Sequence, residues 1–153
     1  MSSSATTSPP SPTAAVSIPA AARQHTEEGA KAFAKFYLLT YSKSAFSADA
    51  ASLEALSSDS CGGCKSLIDL VNGYRAKNQH VDRVALTVDT TMLRPEGTSE
   101  RPVVDVLAKD ARKQVLNADG SVAKVVAAAS INFRLTMRWD DNNWEVDDLR
   151  VAQ

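Results

Sequence analysis

Cysteine, aromatic residues and net charge are all scarce in this chain. It has two cysteines in 153 residues, so thiol chemistry is confined to one place, the stretch "DSCGGCK" at residues 59–65. Its only histidines, His25 and His80, do not stand at finger spacing from Cys61 and Cys64, and a zinc site needs about four ligands. No metal or other cofactor is therefore expected. A formal net charge of −1 supplies no field that would draw the chain to nucleic acid or to an acidic membrane surface. No apolar run is long enough to span a bilayer. Aromatic residues make up 6% of the chain, so the position of each carries weight. The rest of the composition is ordinary: 44% hydrophobic and 23% charged, in a length that suits one domain with one core.

The chain is uneven. Residues 1–20, "MSSSATTSPPSPTAAVSIPA", contain no charged residue. A stretch of Ser, Thr, Pro and Ala with few apolar anchors buries too little surface to offset the entropy of ordering it. Residues 1–23 are therefore expected to form a disordered tether, and residues 24–153 a single domain. The stretch has neither the basic start nor the apolar centre of a signal peptide. It reads either as the tail of a cytosolic protein or as the spacer of an exported lipoprotein whose signal segment is absent from this chain. The cysteine pair suits an oxidising compartment and favours the second reading, with an extracytoplasmic location, envelope-anchored or secreted. Contact with a membrane would then be through a lipid anchor only.

From Thr26 the period is helical. Thr26 can cap a helix over "HTEEGAKAFAKFYLLTYSKSAF", with Glu27 and Glu28 at its positive end and a Glu27–Lys31 pair on the solvent side. Phe33, Tyr37, Thr40, Tyr41 and Ser44 share one face. A shorter helix is expected in "SADAASLEALSS", capped by Ser47 with Leu53 and Leu56 inward. A third follows in "CKSLIDLVNGYRAKNQ", capped by Asp59 or Ser60, with Cys64, Leu67, Ile68 and Val71 on one face.

After His80 the period becomes two. "VALTVDTTML" places Val84, Leu86, Val88 and Met92 on one side, and so Asp89 on the other. "VVDVLAKDARKQVL" is less regular and reads as more exposed. "NADG" at 117–120 and "DDNN" at 140–143 are turn signals. "INFRLTMRW" alternates Ile131, Phe133, Leu135, Met137 and Trp139 against Asn132, Arg134, Thr136 and Arg138. A straight strand from Val122 to Trp139 would span roughly 60 Å at about 3.4 Å per residue, so a break is expected in "AAAS" at 127–130. In "WEVDDLRV" the parity changes between Val146 and Leu149, which a bulge near Asp147 or Asp148 reconciles. Helices followed by long antiparallel strands make an α+β order. The simplest packing sets N-terminal helices on a strongly curved antiparallel sheet of about four long strands, a cone-like domain.

This order resembles the nuclear-transport-factor-2-like cone fold, shared with SnoaL-type polyketide cyclases. The ending "LTMRWDDNNWEVDDLRV" is similar to that superfamily's last hairpin, and the resemblance covers about residues 24–152. "HTEEGAKAFAKFYLLTYSKS" followed by "LEALSSDSCGGC" also resembles an uncharacterised actinobacterial family of secreted or lipid-anchored proteins with a similar Cys-x-x-Cys behind a Ser/Thr/Pro-rich leader. The resemblance implies export and the cone fold, and a homodimer through the open sheet face. It implies no reaction.

The cysteine pair begins a helix, where backbone N–H groups stabilise thiolate. A thioredoxin-like centre would follow a buried strand in a βαβ unit; here a helical stretch precedes it. A c-type haem site needs His where Lys65 stands. A local Cys61–Cys64 disulfide is the favoured reading, stabilising the fold by about 2 kcal/mol for so short a loop. A redox-active pair remains the alternative.

Catalytic order is not evident. If Phe133, Trp139, Val84 and Met92 face inward, then Arg134, Arg138 and Asp89 face outward, and the clearest strands give the interior no ionisable group. His25 and His80 stand at element edges, where solvation is the rule, and no phosphate-binding glycine loop or Ser-His-Asp order is present. What remains is an apolar pocket edged by Tyr37, Tyr41, Tyr74, Phe133 and Trp139, suited to a small apolar or amphipathic ligand. The expected function is a non-catalytic extracytoplasmic binding or interaction module whose partner is such a ligand or an envelope protein. The alternatives are a SnoaL-like isomerase, cyclase or hydrolase, which would need an inward-facing acid or base, and a thiol-disulfide protein.

Overall fold

The structure is a computed structural model that describes residues 16–152. The first 15 residues of the expected tether lie outside the described residues. Of the remainder, Val16 and Ile18 are apolar anchors packed against the core, and Ala20–Arg23 forms a 3-10 turn that buries Ala22. Packing against the domain therefore begins upstream of Gln24.

Helix α1 spans Glu27–Ser47. It starts where Thr26, in extended conformation, turns its hydroxyl to accept the Gly29 N–H at 2.9 Å, while Glu27 and Glu28 stand at the positive end of the helix dipole. It ends at Ala48, whose left-handed backbone (φ 55°) returns an N–H to Ser44 O. Its inward face carries Ala30, Phe33, Ala34, Tyr37 and Leu38, all essentially without exposure. Burying each of the large ones stabilises the fold by about 1.5–3 kcal/mol. The solvent-side pair is Glu28–Lys31 at 2.9 Å, one residue closer in sequence than the expected Glu27–Lys31. Gly29 is required by a close approach: a Cβ there would stand 1.9 Å from Gln24 O.

Helix α2 spans Ala51–Leu56 and buries Leu53 and Leu56. Its expected cap, Ser47, instead closes α1, and the Ala51 N–H is taken by Asp49 Oδ1 at 3.0 Å. Helix α3 spans Gly62–Ala76, and it is Cys61, not Asp59 or Ser60, that caps it: the Cys64 N–H points at Cys61 Sγ at 3.1 Å. No helix among the described residues is long and apolar enough to cross a membrane.

The strands form two antiparallel sheets. Strands β1 (His80–Val81), β4 (Lys113–Leu116) and β5 (Val122–Val126) make a small one in the order β1-β4-β5. Strands β2 (Leu86–Leu93), β3 (Val103–Asp110), β6 (Ala129–Asp140) and β7 (Asn143–Val151) make the main one in the order β2-β3-β6-β7. The α+β expectation holds, with four long strands in the main sheet and helices packed on its inner face. The long third run breaks at residues 127–128, inside "AAAS". Gly120 (φ 86°) turns β4 into β5, and Asp141 and Asn142, both at positive φ, turn β6 into β7. Thr136 pairs with Asp148 and Met137 with Val146, so Asp147 is the extra residue of a bulge.

Two expectations fail on the sheet. Val84 and Met92 are 46% and 60% exposed: Val84 precedes β2, and a register shift between Val88 and Thr90 moves Met92 to the outer face. The irregular segment after residue 102 is not peripheral. β3 lies inside the sheet between β2 and β6, and Val104, Val106 and Ala108 are fully buried. Phe33 and Phe133 join the same core, as the alternation of β6 requires.

Candidate ligand-binding site

The cysteines form a disulfide, with both residues buried at 2% and 0% exposure. The loop around them is pinned to the β7 bulge. Ser57 bridges to Val146, and the Ser58 N–H donates to Val146 O at 2.9 Å. Gly63 lies so close to β7 that a Cβ would stand 1.9 Å from Leu149 O. The bulge residue Asp147 accepts the Ser58 and Ser60 hydroxyls at 2.7 and 2.8 Å, and pairs with Arg101. The Arg101 guanidinium first, then the two serines, hold its carboxyl at about 2, well below the usual carboxylate range.

The five residues expected around one pocket are placed apart. Tyr37 and Phe133 belong to the core. The Tyr37 hydroxyl meets Ser57 Oγ at 2.9 Å, and burial pushes the phenol up to about 12. Trp139 stands at the start of α1, stacked on His25 with ring centres 4.4 Å apart. His25 is exposed, as expected at an element edge, but its ring is also packed and bonded. Its Nε2 also reaches Glu100 Oε1 at 3.1 Å and Ser99 O at 3.2 Å. His80 stands edge-on to Phe46. Tyr41 and Tyr74 are half-buried at the other end, roughly 22 Å along α1 at the helical rise.

On the outer face of the sheet the expected directions hold. Arg134 donates to Asp105 from Nε at 2.7 Å and from NH2 at 3.0 Å, and Arg94 adds a third contact at 3.3 Å. The Arg134 bonds depress the Asp105 carboxyl below its ordinary value. Arg138 pairs with Glu145, and Asp89 stands 3.7 Å from Lys109.

The interior nevertheless contains an acid. Asp110 ends β3 with the same parity as Val104, Val106 and Ala108, opposite buried Leu86. Its side chain is 13% exposed. Lys113, the first residue of β4, donates to Asp110 Oδ2 at 2.7 Å and is itself 8% exposed. Asp110 Oδ1 is buried and has no hydrogen-bond partner among the described residues. Tyr41 from α1 and Tyr74 from α3 are near enough for the Asp110 carboxylate to act on their phenols. Burial, then Tyr74 and Asp110, raise the Tyr41 phenol to about 12; burial and then Asp110 raise that of Tyr74. Neither hydroxyl has a side-chain hydrogen bond acting on it among the described residues, unlike that of Tyr37. The signal was in the sequence: "VVDVLAKD" alternates through residues 104, 106, 108 and 110. Reading residues 103–116 as one irregular strand hid the corner at Ala111–Arg112 that brings Lys113 back to Asp110.

This end of the interior presents an open acceptor, two hydroxyls of either sense, and a lysine with N–H donors to spare, beside apolar Leu86, Ala108 and Val126. The open Asp110 oxygen can accept a hydrogen bond from a polar group.

No curated protein matches the sequence. Among solved structures, the intermembrane-space region of the chloroplast protein ARC6 superposes with a TM-score of 0.54 at 11% identity, covering 80% of this chain and 95% of that one. An NTF2 variant superposes with a TM-score of 0.46 at 11% identity, covering 83% and 100%. A Nostoc punctiforme protein of unknown function with a cystatin-like fold gives 0.42 at 10% identity, covering 78% and 88%. At 11% identity the likeness to the ARC6 region concerns the fold alone. The profile of one protein family matches residues 3–150, nearly the whole chain, and the chain therefore belongs to DUF6318, a family of unknown function.

Proposed function

We propose that this protein is a non-catalytic, extracytoplasmic binding module, held at the cell envelope in the manner of the secreted and lipid-anchored proteins it resembles. Its ligand site is the end of the interior marked by Tyr41, Tyr74, Asp110 and Lys113. The observation that carries this reading is the unpartnered, buried Asp110 Oδ1. A buried acceptor without a donor costs about 1–3 kcal/mol, and native structures retain one chiefly where water, an ion or a ligand completes it.

Charge selects the ligand. Lys113 already neutralises Asp110, so an ammonium group would crowd a buried cation and a carboxylate a buried anion. A neutral hydroxyl satisfies Oδ1 and can accept from Tyr41, Tyr74 or Lys113. The neighbouring apolar side chains suit a hydrocarbon body, so the ligand is a small neutral alcohol. The disulfide supports an oxidising compartment, and its burial supports a staple in preference to an exchanging thiol centre.

Cyclohexanol, cyclohexylamine and cyclohexanecarboxylate share one ring and differ in charge. Titrating each while following backbone amide shifts tests the reading. Cyclohexanol is expected to give saturable shifts at Tyr41, Tyr74, Asp110 and Lys113, and the charged analogues to bind about tenfold more weakly. Absence of saturable change at those four positions removes the proposal.

The same inward-facing Asp110 favours one second reading, a SnoaL-like small-molecule isomerase, cyclase or hydrolase, because that is the group such an enzyme requires. It differs by turnover: a substrate consumed by the native protein and left intact by Asp110→Asn would replace the binding reading with this one.

A further inference from the structure

The opposite end of the interior contains a cavity of about 290 Å³ between the start of α1 and the connection from β2 to β3. Leu93, Pro102 and the Trp144 ring form its apolar wall. Trp144 continues an aromatic cluster, edge-on to Trp139 at 4.9 Å and to His25 at 5.4 Å.

Most polar groups around this cavity are already engaged within the protein. Trp144 Nε1–H donates to Gln24 O at 2.8 Å, and His25 Nε2 is held by Ser99 O and Glu100. Thr26 Oγ1 accepts from Gly29, and Thr98 Oγ1 accepts the Arg101 N–H at 3.0 Å. Arg94 directs its guanidinium to the outer-face carboxylates, donating from Nε to Glu96 and from Nη1 to Asp105. Of the remaining groups, Glu27 and the Ser99 hydroxyl lie on exposed residues at the rim. A charged ligand would exchange its hydration for groups that already have partners, which is unfavourable. An uncharged ring loses nothing of that kind and gains contact with an indole face or edge. The volume lies at the lower limit for small-molecule sites and suits a single ring system.

We infer that the cavity bounded by Leu93, Pro102 and Trp144 is a second binding site, which takes a small uncharged aromatic molecule. It stands independently of the Asp110 site, because its selectivity comes from engaged polar groups and that of the other from an unengaged one.

Indole, indole-3-acetate and tryptamine provide the test, with the Trp144 indole N–H and the Gly97 and Thr98 amides as reporters. Indole is expected to shift all three saturably, with both charged relatives about tenfold weaker. Leu93→Trp fills the cavity and is expected to abolish these shifts; Thr98→Trp at the exposed rim serves the same purpose if the first variant does not fold. Tyr74→Phe is expected to leave indole binding unchanged. A charged relative that binds as well as indole overturns the inference. So does indole binding that persists in the filled variant, or saturation at Tyr41 and Asp110 in place of Trp144. Loss of indole binding at Trp144 leaves the cyclohexanol titration at the Asp110 site unaffected, so the two readings fail separately.

Discussion

At the start of α1, His25, Trp139 and Trp144 pack ring on ring, and the polar groups around them are bonded within the protein. At the other end, Tyr41 and Tyr74 lie within electrostatic reach of an aspartate with one oxygen bound and one left open. Both ends are aromatic and both lie between helices and sheet. They differ in whether their hydrogen-bonding capacity is used. The first end is built to hold the fold together and leaves only apolar space; the second leaves a polar group for something else to complete. An unmet polar group thus stands at one end of the helix only, and the other end combines a bonded aromatic cluster with apolar space.

Substitutions can break this contrast. The largest effect is expected from Trp144→Ala, which removes a large ring that is 3% exposed and leaves Gln24 O without its donor. Chemical denaturation should show a loss of about 3–5 kcal/mol. Tyr74→Phe at the other end should change stability by no more than about 0.5 kcal/mol. Equal losses at the two positions would erase the distinction.

Next comes Asp110→Ala, which leaves the Lys113 ammonium buried without its partner. The expected loss is about 3 kcal/mol, and adding Lys113→Met should restore most of it by removing the orphaned charge. If the double variant is as unstable as the single one, the carboxylate is serving packing and not charge.

A smaller effect should appear in acid. Asp147 lies at about 2 when folded, below its ordinary value of 3.8, so its contribution is complete above the unfolded value and disappears as pH falls from about 5 toward 2. With a side chain only 10% exposed, that contribution is about 2 kcal/mol. Asp147→Asn should flatten the acid limb of the stability profile by that amount. Asp105, depressed chiefly by Arg134, adds to the limb in the same direction. The acid sensitivity therefore belongs to the Arg101 clamp, which ties the loop beside the His25 cavity to the disulfide-bearing segment.

Local chemistry was legible wherever it decides the outcome. Thr26 at the head of α1, the alternation of residues 131–139, the turns at Gly120 and Asp141–Asn142, the break at 127–128 and the Asp147 bulge all follow from short-range rules. The failures are tertiary. Nothing near Val88 announces the register shift that turns Met92 outward. The interior position of β3 depends on its two neighbours, and its alternation is masked by Asp105, a charge that is buried only because Arg134 and Arg94 reach it across the outer face. Asp110 was hidden by the same segment. The helical faces of Tyr41 and Tyr74 are readable from the sequence, but the Asp110–Lys113 pair near them requires the corner between β3 and β4. The His25 cluster joins residues more than a hundred positions apart, beyond the reach of any periodicity.

The most direct measurement is a crystal structure of the protein with cyclohexanol. The expected result is the alcohol hydroxyl about 3 Å from Asp110 Oδ1, with its ring beneath Tyr41 and Tyr74. A lone ordered water on Oδ1, with no alcohol at that end, would contradict the assignment of recognition to Asp110.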